Sequence, residues 1–109
     1  MLNIINFVEI NEYFSDGKIG NIDVLNDTIW KINNSENWLD QLALLLKALV
    51  CENCFKDSNK ETAVLMLITA FELHKIPNNQ DKILNMILTL AKQHIVDLRR
   101  IKRMIIEAM

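Results

Sequence analysis

The chain has 109 residues, of which 50% are hydrophobic and 24% charged, and it contains only two glycines and one proline. This composition argues against a disordered chain and against a turn-rich β-fold. The formal net charge of −2 argues against nucleic acid as the partner, since nucleic-acid-binding domains are usually basic. The length suits one domain, so we expect residues 1–109 to form a single all-α domain.

Two helices are predicted in the first third of the chain. Apolar residues recur at helical spacing from Ile4 onward, and Ser15-Asp16-Gly17 is a plausible stop, so helix one is expected at about residues 3–15. Gly17 and Gly20 concentrate the flexible backbone in the next turn. Asn21 is the predicted N-cap of helix two. The apolar face expected for helix two consists of Ile22, Leu25, Ile29, Trp30 and Ile32.

The middle of the chain predicts two more helices. Ser35 is the expected N-cap of a central helix that continues as far as Phe55, with a wide leucine-rich stripe. Ser58 and Glu61 match a capping box, in which each side chain satisfies a first-turn amide of helix four. Pro77 ends that helix.

The last predicted element is one long helix that starts after Asn78-Asn79 and continues almost to Met109. No strand with alternating polarity and no internal repeat competes with a helical interpretation. The sequence therefore predicts a bundle of about five helices. Its last helix is expected to place these apolar residues on one face: Ile83, Leu84, Ile87, Leu90, Ala91, Ile95, Leu98, Ile101 and Ile105.

The apolar segments are too short for a membrane span, which needs roughly 18 to 20 residues. Asp40 and Lys47 interrupt the most apolar region, residues 38–50. Residues 1–7 lack a basic leader and a small-residue cleavage site, and Glu9 follows, so no secretory signal is expected. We expect a cytoplasmic protein without a membrane partner.

Cys51 and Cys54 are the first candidates for chemistry, because zinc and redox sites use this spacing. They lie near the end of a predicted helix with no strand before them, and His74 and His94 are too distant in sequence to complete a usual ligand set. Packed structural cysteines in a reducing compartment are therefore expected, with no metal or other cofactor.

No catalytic residue is predicted. His94 and Asp97 are the only histidine and acid at helical contact spacing, and a surface contact is the ordinary explanation for such a pair. General acid–base catalysis would still need a nucleophile or a second group in a pocket. We therefore expect a protein that is not an enzyme.

Five carboxylates near the N-terminus are the predicted partner-binding residues. Three fall at i, i+3 and i+7 on helix one and two at i and i+4 on helix two, and Lys18 is the only base between residues 9 and 27. Such a set is either an ordinary solvated face or a docking surface for a basic protein. Its members are Glu9, Glu12, Asp16, Asp23 and Asp27.

The opposite charge is concentrated near the C-terminus. Residues 62–109 carry seven bases against four acids, whereas residues 1–61 carry ten acids against five bases. Every arginine belongs to the run Arg99, Arg100, Lys102 and Arg103. This run is open to several roles: complementing the helix dipole, contacting an acidic partner or subunit, or folding back on the five carboxylates. Nucleic acid is disfavoured, because no aromatic residue follows Phe71.

Trp30 and Trp38 flank the predicted loop at residues 33–37. Tryptophan is both a core filler and the residue most enriched at binding hot spots. Packing in the core is expected for at least one of the two.

The opening pattern, a helix ending Tyr13-Phe14-Ser15-Asp16-Gly17-Lys18-Ile19 and a following helix with Trp30, resembles the start of small helical immunity proteins. These bacterial proteins neutralise colicin-type or contact-dependent-inhibition toxins, and the resemblance covers about the first 30 residues. It implies a stoichiometric inhibitor that covers a basic toxin, often a nuclease, through acidic residues.

A small helical chaperone or adaptor is the alternative, for example in a bacterial secretion system. Such a protein would hold a partner helix in an apolar groove that exposes Leu, Ile and Met. Salt separates the two hypotheses, because ions screen capture by an acidic face and barely affect binding in an apolar groove. The adaptor hypothesis also predicts a dimer, whereas the sequence alone leaves the oligomeric state open.

Overall fold

The structure, a computed structural model, describes the backbone of residues 4–109 and the side chains of residues 8–109. Predictions that rest on residue 3 or on the side chains of Ile4, Ile5 and Phe7 lie outside the described residues. The described chain contains six α-helices: α1 Ile4–Phe14, α2 Ile22–Asn33, α3 Trp38–Leu46, α4 Asn59–Leu73, α5 Gln80–Gln93 and α6 Leu98–Glu107. The all-α prediction is confirmed.

The central helix α3 carries the core, as its leucine stripe predicts. Helices α2 and α6 pack mainly on α3, whereas α1 packs on α4, and α4 also contacts α5. The radius of gyration is 12.5 Å, close to the roughly 13 Å of a compact chain of this size. Fully buried side chains include Leu42, Leu46, Leu49, Phe55, Met66, Leu67, Phe71, Ile83, Ile87, Leu90, Ile101 and Ile105.

The predicted bounds of the central helix were wrong at both ends. Asn37, not Ser35, is its N-cap, and the Asn37 Oδ1 accepts the Leu39 amide at 2.9 Å. The helix widens into a π-helical turn, Lys47–Cys51, and stops there. Phe55 therefore lies beyond the helix, where it is buried.

The predicted capping box at the start of α4 is also wrong. Ser58 has a φ of 61° and its side chain makes no capping bond. The loop is held instead by Asn59, whose Nδ2 donates to the Phe55 carbonyl at 2.9 Å and whose Oδ1 accepts the Phe55 amide at 3.1 Å. The loop that these two hydrogen bonds close has a backbone conformation in which the Ser58 side chain does not cap the helix.

The predicted long last helix is two helices. His94 takes a left-handed conformation at φ 49°, and the Ile95 amide donates to the Leu90 carbonyl at 3.2 Å, as in a Schellman C-cap. Asp97 then caps α6, because its Oδ1 accepts the Arg99 amide at 3.0 Å. The predicted surface pair of His94 and Asp97 on one helix is therefore wrong, since each residue caps a different helix.

The turn between α1 and α2, expected to be the most flexible backbone, is tied to the loop before α4. The Gly20 amide donates to the Cys54 carbonyl and the Lys56 amide to the Lys18 carbonyl, both at 2.9 Å. A Cβ on Gly20 would lie 2.8 Å from the Phe55 carbonyl oxygen. Glycine at this position therefore serves close backbone approach.

Among the helices that the structure describes, none combines the length and the apolar character needed to cross a membrane.

Candidate functional site

All five predicted partner-binding carboxylates, Glu9, Glu12, Asp16, Asp23 and Asp27, are exposed. Glu9 and Glu12 lie on α1, which packs on α4, and Asp23 and Asp27 lie on α2, which packs on α3. Asp16 was expected on helix one, but α1 ends at Phe14, so this carboxylate lies in the turn that follows. The turn between these helices joins the two groups. We call these five exposed residues together the acidic surface.

The turn brings two of the acids close together. The side chain of Glu12 lies over Gly17, where a Cβ would be 2.6 Å from the Glu12 Cγ. Gly17 itself has a φ of 71°, a conformation that glycine adopts at little cost. Next to it, the Asp16 Oδ1 accepts the Lys18 amide at 3.0 Å. That amide lowers the pKa of Asp16, and the charges of Lys18 and Lys56 add to the effect.

Lysines compensate only part of the negative charge. Lys18 pairs with Asp16 at 3.7 Å and Lys31 with Asp27 at 2.8 Å. These pairs are exposed, and such pairs are usually weak. For the other three carboxylates, Glu9, Glu12 and Asp23, the described side chains provide no ion pair.

Aromatic and aliphatic side chains of the same helices are exposed as well. Trp30 is 65% exposed and Tyr13 83% exposed, and Ile22 is also exposed. On α2, Trp30 lies at i+3 and i+7 from Asp27 and Asp23, so the three share one face. Exposed tryptophan and tyrosine are typical of binding hot spots.

The exposure of Ile22 and Trp30 overturns part of the predicted apolar face of α2. Leu25 is buried there, and Ile29 and Ile32 pack against the core. The second tryptophan, Trp38, is half-buried and stacks on the His74 ring at 4.0 Å.

The described contacts of the basic run are with residues outside the acidic surface. Lys102 pairs with Asp40 of α3 at 2.6 Å, and the Arg100 Nη2 donates to the Gln93 Oε1 at 3.2 Å. Arg99 and Arg103 form no ion pair with a described residue. No ion pair among the described side chains connects the basic run with the acidic surface.

The two cysteines are packing residues. Cys54 is fully buried, and burial raises the pKa of its thiol to about 12. Cys51 is half-buried, its Sγ donates to the Ile95 carbonyl at 3.2 Å, and desolvation raises its pKa. Within the described part of the chain, no group of three or more His, Cys, Asp and Glu side chains is placed to hold a metal ion.

An apolar groove of about 390 Å³ opens between α4, α5 and the end of α1. Phe14, Leu84 and Leu88 are exposed along it. Leu84 was expected on the buried face of its helix, so this part of the prediction was wrong. The groove is lined by Phe14, Lys60, Glu61, Val64, Leu65, Ile68, Leu84, Ile87 and Leu88.

The chain matches no protein-family model, and no solved structure matches it.

Proposed function

We propose that this protein is a non-catalytic, immunity-type inhibitor that binds a basic toxin stoichiometrically through the acidic surface in the bacterial cytoplasm. One observation carries the proposal. The five carboxylates are exposed, and so are the apolar side chains of Trp30, Tyr13 and Ile22 on α1 and α2. Acidic residues supply long-range steering toward a basic partner, and exposed aromatic residues supply contact energy.

The position of the basic run supports the proposal. Arginines folded over the acidic surface would have cancelled its potential. Instead, Lys102 pairs with Asp40, and Arg100 contacts Gln93. Three of the five acids, Glu9, Glu12 and Asp23, have no described ion pair. The surface therefore retains negative charge that a basic protein can neutralise.

Affinity capture tests this proposal. Tagged protein is used to capture its partner from the native cells in low salt, rising salt elutes the partner, and mass spectrometry identifies it. We expect a single basic protein that salt releases, since ions screen the attraction. Expressed alone, that protein should arrest growth, and co-expression of this chain should restore growth. A partner that resists salt, or that is harmless alone, would contradict the proposal.

The apolar groove favours a second candidate, a helix-binding chaperone or adaptor. Val64, Leu65 and Ile68 form one wall on α4, and Leu84 and Leu88 lie one helical turn apart on α5. An amphipathic helix of a partner could bury its apolar face against these side chains.

A substitution in the groove separates the two candidates. Leu88→Glu places a carboxylate on the apolar wall at an exposed position and should abolish binding of a partner helix there. Capture of a basic partner by the acidic surface should persist in this variant. The opposite result would favour the adaptor: Leu88→Glu would prevent capture of the partner, and salt would leave capture by the parent protein unchanged.

A further inference from the structure

A second recess lies between α5 and α6. Helix α6 packs mainly against α3 rather than against α5, so the two consecutive helices leave a cleft of about 580 Å³ between them. Pockets for small molecules are usually roughly 300–1,000 Å³.

The cleft concentrates positive charge. Lys82, Arg100 and Arg103 line it, and Glu107 is the one carboxylate among the described lining residues. None of the three cations forms an ion pair with a described side chain. The protein as a whole has a formal charge of −2. The lining of this recess therefore has the opposite sign of charge from the protein as a whole.

Neutral hydrogen-bonding groups complete the polar walls. Asn85, Thr89 and Gln93 line the α5 side of the cleft, at successive four-residue steps of one helix face. Gln93 also orients a cation, because its Oε1 accepts the Arg100 Nη2 at 3.2 Å. Guanidinium groups bind phosphate through two parallel hydrogen bonds, and amide and hydroxyl groups can donate to the remaining oxygens.

The rest of the cleft is apolar. Met86 and Met104 contribute to its lining from opposite helices, and methionine adapts to ligands of irregular shape. No aromatic side chain is among the described lining residues, so the cleft has no platform on which a nucleotide base would stack. Two arginines beside a methionine-lined wall suit a ligand with an anionic head and a compact apolar body.

We propose that the cleft between α5 and α6 binds an organic phosphate, with Arg100 and Arg103 holding the phosphate group and Met86 and Met104 contacting the organic part. This site is independent of the acidic surface on α1 and α2. Failure of either proposal therefore leaves the other standing.

Titration of the ¹⁵N-labelled chain with phenyl phosphate, at about 0.15 M salt to screen non-specific attraction, tests the proposal. We expect saturable shifts at amides along the cleft, weaker binding of inorganic phosphate and no binding of phenol. The double variant R100Q/R103Q should weaken binding by about tenfold or more, because it removes both charge-assisted contacts. Lys82→Gln, on the other helix, should weaken it independently.

The matched control is K92Q/R99Q, which removes two positive charges at exposed positions outside the cleft. Its affinity for phenyl phosphate should stay within about twofold of the parent value, since neither side chain lines the cleft and exposed charges are partly screened at this salt concentration. Equal losses in both double variants, or shifts that never saturate, would overturn the proposal. Saturation by a hexaglutamate peptide but not by phenyl phosphate would also overturn it, in favour of an acidic protein segment.

Discussion

At the residue scale, asparagine amides determine where several helices begin. Asn21, Asn37 and Asn79 each accept first-turn amides of the helix that follows. The cap at Asn21 was predictable from its position before an apolar pattern. The cap at Asn37 was not predicted because Ser35, also a good N-cap residue, comes first in the sequence. Only the fold shows that the Ser35 carbonyl instead accepts a hydrogen bond from Gln41 Nε2 at 2.7 Å.

Replacing Asn37 by Ala should lower the free energy of unfolding by about 1 kcal/mol, the usual loss for an N-cap. Ser58→Ala should cost clearly less, because the Ser58 side chain makes no capping bond. Urea unfolding of both variants measures the difference. A larger loss for Ser58→Ala would show that the capping box predicted from the sequence exists after all.

Reaction with a disulfide reagent at mildly alkaline pH should distinguish the two thiols. Only thiolates react, and the pKa of Cys54 is raised to about 12 by burial, so Cys54 should react only when the chain unfolds. Cys51, half-buried, should react first. The Cys51→Ala variant isolates Cys54, and rapid labelling of that variant in the folded state would contradict the described burial.

At the element scale, the sequence predicts the helical stripes well and the break after α5 poorly. The apolar spacing remains helical across residues 91–101, and no glycine or proline marks a stop. His94 nevertheless takes φ 49°, which histidine does more readily than most residues. Packing decides the outcome, since the break places Ile95, Ile101 and Ile105 in the core.

The variant His94→Gly tests this break, because the two alternatives predict opposite signs for its effect on the free energy of unfolding. Glycine in a left-handed C-cap avoids the Cβ penalty, so stability should be unchanged or rise by up to about 1 kcal/mol. In a continuous helix, the same change would lower stability by about 1 kcal/mol. The midpoint of urea unfolding gives the sign directly, and a clear loss would support the unbroken helix. His94→Ala should remain less stable than His94→Gly.

At the scale of the whole molecule, no described ion pair joins the basic run to the acidic surface. The lopsided charge distribution was visible in the sequence, and the five carboxylates were identified from spacing alone. The exposure of Trp30 could not be predicted, because it depends on the rotation of α2 about its own axis where it packs against α3. The neighbouring Ile29 packs against the core instead. The residues that line the groove and the cleft were not predicted for the same reason, because both recesses form only when separate helices pack together.

Trp30→Ala should weaken partner binding by about 2 kcal/mol or more, as for a hot-spot residue. The change should appear as faster dissociation, with little effect on the association rate. Surface plasmon resonance with the captured partner measures both rates. Trp38→Ala is an unsuitable control because Trp38 packs on His74, whereas Leu98→Ala removes another exposed apolar side chain on α6 and should leave binding unchanged.

The most direct test of the central claim is the association rate of E9K/E12K with the captured basic partner. These carboxylates are exposed and have no described ion pair, so the variant should fold normally, as circular dichroism can verify. We predict association on the order of tenfold slower at low salt, with the difference shrinking as salt rises. The control E36K/E72K makes the same charge change at exposed positions off the acidic surface and should associate nearly as fast as the parent. Equal association rates for the two variants would contradict capture by the acidic surface.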